Sequence, residues 1–365
     1  MMKKKRASQN TKGPHTIDRK DSHLAICLNE DVDYSTRKDQ RSGLEGYQFE
    51  HLALPELDFR SITTDTKLFG RALRSPIIIG AMTGGTKTTD ALNRRLAAAS
   101  EAHQIPFALG SQRKALESTD KQIWSSFAVK KWNPKIPLLF GNIGAVQLNY
   151  GIDADKIERL VDYCEIDVLN IHLNPLQEVI QPEGNTNFLG LLKKIEKVAT
   201  HLNRRFKLPV VLKEVGSGIS KTMARRLNQL PIAGIETAGV GGTSWSKIES
   251  LRSQSDKLYI AGSIYAQWGI STADSVVAVK SMVTNKTVIA SGGIRNGLEV
   301  AKCLALGADA CAAALPFLKA AQKSENELQE FIDGFNYQLR IAMFLTGSQN
   351  LNELKKQKLL KHYAN

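Results

Sequence analysis

The sequence predicts an α/β protein: a (β/α)8 TIM barrel with an N-terminal extension and a long insertion between strands six and seven. Three observations predict it. From residue 76 onward, short β-branched apolar runs alternate with segments of helical periodicity, as in parallel strands joined by crossover helices. Eight such units close a barrel. Glycines and polar residues gather where the apolar runs end, and that end of a barrel carries its binding groups.

Residues 1–15 read as a flexible basic tail, and 16–365 as a single barrel domain opened by an irregular lead-in over 16–75. Strand-like runs fall at 76–81, 106–110, 137–141, 168–173, 209–213, 233–237, 258–262, 287–291 and 310–315, and helical periodicity fills 90–102, 153–164, 221–230 and 298–306. Nine runs compete for eight places. The run at 287–291 leads into Gly292, Gly293, Ile294 and Arg295 at the mouth of a helix. Two glycines admit an anion close to the backbone, and the helix N-terminus offers N–H donors. The next strand, near 310–315, ends in small residues, and barrels often hold a phosphate between the loops after strands seven and eight. Taking these two runs as strands seven and eight assigns 258–262 to the insertion.

Composition narrows the class. Hydrophobic residues make up 42% of the 365, enough for a large core. No apolar run reaches the ~18–20 residues of a membrane span, since the longest, 303–318, is broken by Asp309 and Pro316. A polar stretch follows the basic residues 3–6, so no secretory leader is read, and four cysteines without CxxC spacing read as reduced thiols. The expected location is cytoplasmic. Of the net charge of +13, residues 1–20 carry +6 (seven Lys/Arg, one Asp) and 340–365 carry +4 (five Lys/Arg, one Glu). The excess is therefore mostly in the tails, and no nucleic-acid motif accompanies it. A nucleic-acid or membrane partner is not expected.

Strand four is the most informative. In Val168 to Asn174, the apolar Leu169, Ile171 and Leu173 share one face, and Asn170, His172 and Asn174 share the other. The polar face must point into the barrel, where unpaired groups cost ~1–3 kcal/mol each. Gln177 and Glu178 follow at once. Strand five ends in Lys213 after three apolar residues, where a lysine needs an anion. Small residues at the ends of strands one, two, three and six leave room for a flat ligand.

These strand ends, in this order, resemble the type 2 isopentenyl diphosphate isomerases from about Arg19 to Leu354. The residues concerned are RKDSH at 19–23, AMTGG at 81–85, GSQR at 110–113, NIGA at 142–145, HLNPLQE at 172–178, QPEG at 181–184, LKEVG at 212–216, GGTSW at 241–245, SGGIR at 291–295 and FLTGS at 344–348. HLNPLQE is the specific one; SGGIR is common among phosphate-binding barrels. The resemblance implies FMN lying against Ala81, Met82, Thr83, Ser111, Asn142, Lys213 and Thr243, with its phosphate on Gly292, Gly293 and Arg295 and with Ala314 and Leu315 beyond. It implies a substrate diphosphate held by Arg19, Lys20, His23, Arg113, His172 and Asn174, Mg²⁺ held by Glu178 and the diphosphate, and Gln177 as the catalytic side chain facing the hydrocarbon. It further implies NADPH as the reductant of the flavin, and a homo-oligomer, a tetramer or larger. The reaction it implies is allylic proton transposition between isopentenyl and dimethylallyl diphosphate, with reduced FMN as acid/base.

Other readings meet specific obstacles. An FMN-dependent 2-hydroxy acid oxidase or dehydrogenase needs a histidine base over the flavin, and the strand-six loop GGTSW supplies none. A nucleotide-oxidising barrel needs a cysteine after strand six, but the nearest, Cys164 and Cys303, lie elsewhere. A barrel that merely binds anions or RNA through basic tails would carry no flavin.

Overall fold

Strands covered by helices outside and by side chains inside are apolar on both faces. In the computed structural model, which describes residues 19–34, 42–82 and 84–361, eight such strands pair in parallel as a closed barrel. They are β1 (Ile77–Ile79), β2 (Phe107–Ala108), β3 (Leu139–Gly144), β4 (Val168–Leu173), β5 (Val210–Glu214), β6 (Gly234–Glu236), β7 (Thr287–Ser291) and β8 (Ala310–Ala313). Closure comes from β8 on β1, with Cys311 opposite Ile77 and Ala313 opposite Ile79. The basic tail expected at residues 1–15 lies outside the described residues.

The barrel interior is layered. Its lower layer is apolar and includes Ile78, Phe140, Val168, Val211 and Ile289. Leu68 and Leu73, from the hairpin Thr66–Leu68 and Arg71–Leu73, join that layer. Two residues further along the same strands, on the same face, stand Asn142, Asn170, Lys213 and Ser291. The interior thus turns polar at its C-terminal end.

The longer helices are α1 (Arg19–Asn29), α2 (Lys87–His103), α3 (Ala154–Cys164), α4 (Pro175–Ile180), α5 (Leu191–Phe206), α6 (Lys221–Asn228), α7 (Trp245–Arg252), α8 (Asp256–Ile264), α9 (Thr272–Lys280), α10 (Gly297–Ala305), α11 (Leu315–Lys323) and α12 (Glu325–Leu345). The logic is plain in α5, which buries Leu191, Ile195, Val198, Ala199 and Leu202, one face of a 3.6-residue period. In α3, the Asp153 side chain accepts from the Lys156 N–H and caps the first turn.

One expectation fails. Residues 258–262 form part of a helix, α8, rather than a strand. Its Tyr259 and Ile260 are exposed and only Gly262 is buried, so the apolar run has no core to enter. The expected insertion between β6 and β7 is present and contains α7, α8 and α9. Among the described residues no helix is long and apolar enough to cross a membrane. All four cysteines are buried and free.

Candidate active site

A cavity opens at the C-terminal end of the barrel. Every expected site residue among the described ones lines it. On the phosphate side are Gly292, Gly293, Arg295, Ala314 and Leu315; across the floor are Ala81, Met82, Ser111, Asn142, Lys213 and Thr243; at the rim are Arg19, Lys20, His23, Arg113, His172, Asn174, Gln177 and Glu178. Thr83 lies outside the described residues.

The phosphate side is formed by backbone geometry. Gly292 and Gly293 have φ of +103° and +72°, in the region only glycine enters cheaply. A Cβ on Gly292 would sit 2.1 Å from the Gly239 carbonyl oxygen, so the loop after β7 packs directly on the loop after β6. The N-terminus of α11 lines the same pocket, a favourable end for an anion. Arg295, expected to fork onto a phosphate, is already engaged. Its Nε and Nη2 reach Asp33 at 3.2 and 2.7 Å, and its Nη1 donates to the Ile294 carbonyl. Two of its five donors remain for a ligand.

Asp33 belongs to a segment that follows α1 and runs antiparallel to the strand-six loop, with the Tyr34 N–H on Gly242 O and the Ser244 N–H on Val32 O. This contact brings α1 over the mouth. There Lys20 Nζ donates to the Ser111 carbonyl at 3.0 Å, and the His23 ring meets Trp245 edge-on at 5.3 Å.

Asn174 is not on the strand face with Asn170 and His172. The strand stops at Leu173, and Asn174 stands at the N-cap position of α4, with Pro175 behind it. Its Nδ2 donates instead to Gln177 Oε1 (3.1 Å) and Glu178 Oε1 (2.9 Å). The other end of the Gln177 amide donates to Glu249 Oε1 at 3.0 Å, so Gln177 is fixed at both ends. Asn170 is fully buried, with both side-chain polar atoms unpaired, beneath this layer.

Glu249, in α7, was not legible as a site residue. It is fully buried and lies 2.9 Å from His23 Nε2 and 2.9 Å from Arg252 Nε. Burial pushes its carboxyl up, but His23, then Gln177 and Arg252, outweigh that and hold it below the usual carboxylate range. Arg252 in turn grips Glu183 through both carboxylate oxygens at 2.7 Å. Nothing in the helical pattern of α7 marks Glu249 as a site residue, because its partners His23 and Gln177 come from α1 and α4.

Lys213 finds its anion within the protein. Glu236, at the end of β6, lies 2.7 Å away. His172 Nδ1 lies 2.9 Å from Asn142 Oδ1. Burial, then the charges of Lys213 and Lys20, bring the His172 pKa down to about 3, so the ring is neutral at pH 7.

The chain's own residues can be weighed against the implied metal. Glu178 is buried, and its oxygens accept from Asn174 and from the Asn185 N–H. Among the described residues no group of three or more His, Cys, Asp or Glu converges to hold a metal. A single carboxylate suits Mg²⁺, which commonly takes one or two carboxylates and completes its shell with phosphate oxygens and water.

Comparison with known proteins follows the same lines. A family model described as FMN-dependent dehydrogenase matches residues 193–361. The isopentenyl-diphosphate delta-isomerase of Nostoc sp. is 42% identical over 340 residues, covering 93% of this chain and 94% of the relative. That of Rickettsia bellii is 42% identical over 343 residues, covering 94% and 97%. Among solved structures, a mandelate oxidase with (S)-2-phenylpropionate superposes with a TM-score of 0.62 at 18% identity, covering 94% of this chain and 95% of that one. At that identity the likeness speaks for the fold.

Proposed function

Since this chain belongs to the isopentenyl-diphosphate delta-isomerase family, we propose that it interconverts isopentenyl and dimethylallyl diphosphate by moving a proton from C2 to C4, as the type 2, FMN-dependent members do. The observation that carries the reading is the convergence of a phosphate loop, Lys213, a cationic helix and a doubly fixed Gln177 on one cavity.

FMN would lie against Ala81, Met82, Thr83, Ser111, Asn142, Lys213 and Thr243, with its phosphate at Gly292, Gly293 and Arg295 beside Ala314 and Leu315. When bound, and once reduced by NADPH, it would supply an acid/base for which this mouth offers few suited side chains. Arg19, Lys20, His23, Arg113, His172 and Asn174 hold the diphosphate. Glu178 would hold Mg²⁺ together with that diphosphate, which offsets its charge. Gln177 orients the reacting end of the hydrocarbon through an amide that Asn174 and Glu249 prevent from rotating. The helix α1 over the mouth excludes water.

We extend the same reading to the whole molecule. It is a cytoplasmic enzyme with no nucleic-acid or membrane partner and a single barrel domain. It assembles as a tetramer or larger. In support of assembly, Ile260, Ile264 and Trp268 are 55%, 71% and 65% exposed on one surface segment, and such apolar clusters mark contact sites. Sedimentation of the purified chain tests this.

The alternative, an FMN-dependent 2-hydroxy acid oxidase, has the mandelate oxidase fold in its favour but 42% identity to the isomerases against it. A Gln177→Asn variant tests the main reading. It should keep FMN and lose most turnover; full activity would remove Gln177 from the mechanism.

A further inference from the structure

Glu236 has no part in the mechanism above, yet it is one of the most tightly held groups in the cavity. It is buried at the end of β6, directly beside Lys213 of β5 in the barrel register. Its Oε1 lies 2.7 Å from Lys213 Nζ and accepts from Ser291 Oγ at 2.8 Å. Ser291 Oγ itself accepts from the Ala238 N–H at 3.1 Å. Three adjacent strand ends thus fix one carboxylate. A lysine has three donors. Glu236 takes one and the Glu214 carbonyl another at 3.0 Å, which leaves the third for a ligand.

The pair is net neutral, and burial keeps salt from screening it. A cavity floor with an unpaired ammonium would favour a reduced, electron-rich ring strongly. With a carboxylate in contact with that ammonium, the preference is attenuated. We propose that Glu236 is a positioning residue that aims Lys213 and limits the positive charge it presents to the electron-rich edge of a bound flavin, thereby setting the flavin's reduction potential. This rests on the flavin reading of the cavity and deepens it.

The test reconstitutes the full chain with FMN, without substrate, and measures the two-electron midpoint potential. Glu236→Gln should gain about tenfold in affinity for reduced over oxidised FMN, which is a rise of ~30 mV. Lys213→Met should move the potential down. In the Lys213→Met background, Glu236→Gln should have little further effect. Glu236→Asp keeps the charge but withdraws it by one methylene, so it should rise less than the glutamine variant; it also serves if the latter fails to fold. A folded, FMN-loaded Glu236→Gln with the parent's potential would overturn the proposal, as would an equal rise in the absence of Lys213. Failure of the parent chain to take up FMN at all would instead overturn the flavin reading, and this inference with it.

Discussion

Replacing Glu249 by Gln probes the link between the buried network and the chemistry. The carboxylate accepts from Gln177 Nε2 on one oxygen and from Arg252 Nε on the other, and faces His23. A glutamine amide has one acceptor and one donor end. The guanidinium claims the oxygen, since the charge-assisted bond is the stronger. The NH₂ then faces the Gln177 NH₂, and Gln177 loses its anchor. Arg252 keeps both contacts to Glu183 and is not orphaned. One hydrogen bond to a charged group is lost, ~1.5–3 kcal/mol. We expect unfolding free energy to fall by that amount. If Gln177 must be held in the transition state, kcat falls about 10–100-fold, at 1.36 kcal/mol per tenfold. FMN affinity should stay within about threefold, because none of the partners of Glu249 is on the phosphate loop. Urea unfolding, steady-state kinetics and flavin titration measure the three quantities. Loss of stability with parental kcat would show that Glu249 does not act through Gln177, and would refute the reasoning.

Three more expectations come from the same geometry. His172 titrates near 3 in the fold against 6.5 as its ordinary value. A group with a depressed pKa leaves stability intact above 6.5 and removes it as pH falls toward 3, by ~2 kcal/mol at pH 5; in urea unfolding, His172→Asn should flatten that decline, and parallel curves would contradict the assignment. Gly292→Ala puts a side chain at φ +103° and 2.1 Å from a carbonyl, a strain of ~1–3 kcal/mol, so FMN binding should weaken about 10–100-fold by fluorescence titration; an unchanged Kd would count against a phosphate at this loop. Glu178→Gln should raise the Mg²⁺ concentration for half-maximal rate by about tenfold, and an unchanged Mg²⁺ curve would remove Glu178 from the metal site.

The strands were legible because each is a short apolar run with turn residues at its end, and helical segments separate them, the longest being the insertion between β6 and β7. The run at 258–262 misled because periodicity cannot tell a short apolar strand from a helix. Its side chains turn out to face solvent on α8, which no local pattern announces. Cavity-lining residues at strand ends, such as His172 and Lys213, were readable from their position after apolar runs. Glu249 and Asp33 were not. Each acts across the fold, one from α7 onto α1 and α4, the other from the lead-in onto Arg295, 262 residues away. Such pairings exist only once the chain has closed. The lysine at 213 illustrates a partial reading: its need for an anion was clear, and Glu236, which meets it, was hidden in a strand of otherwise apolar and small residues.

The most direct test of the account is an anaerobic assay with isopentenyl diphosphate, FMN, Mg²⁺ and NADPH, run beside a control lacking reductant. The account predicts dimethylallyl diphosphate only where reductant is present, with far less than one NADPH consumed per product formed. Bound flavin with no isomerised product, or NADPH oxidised in step with substrate, would contradict it.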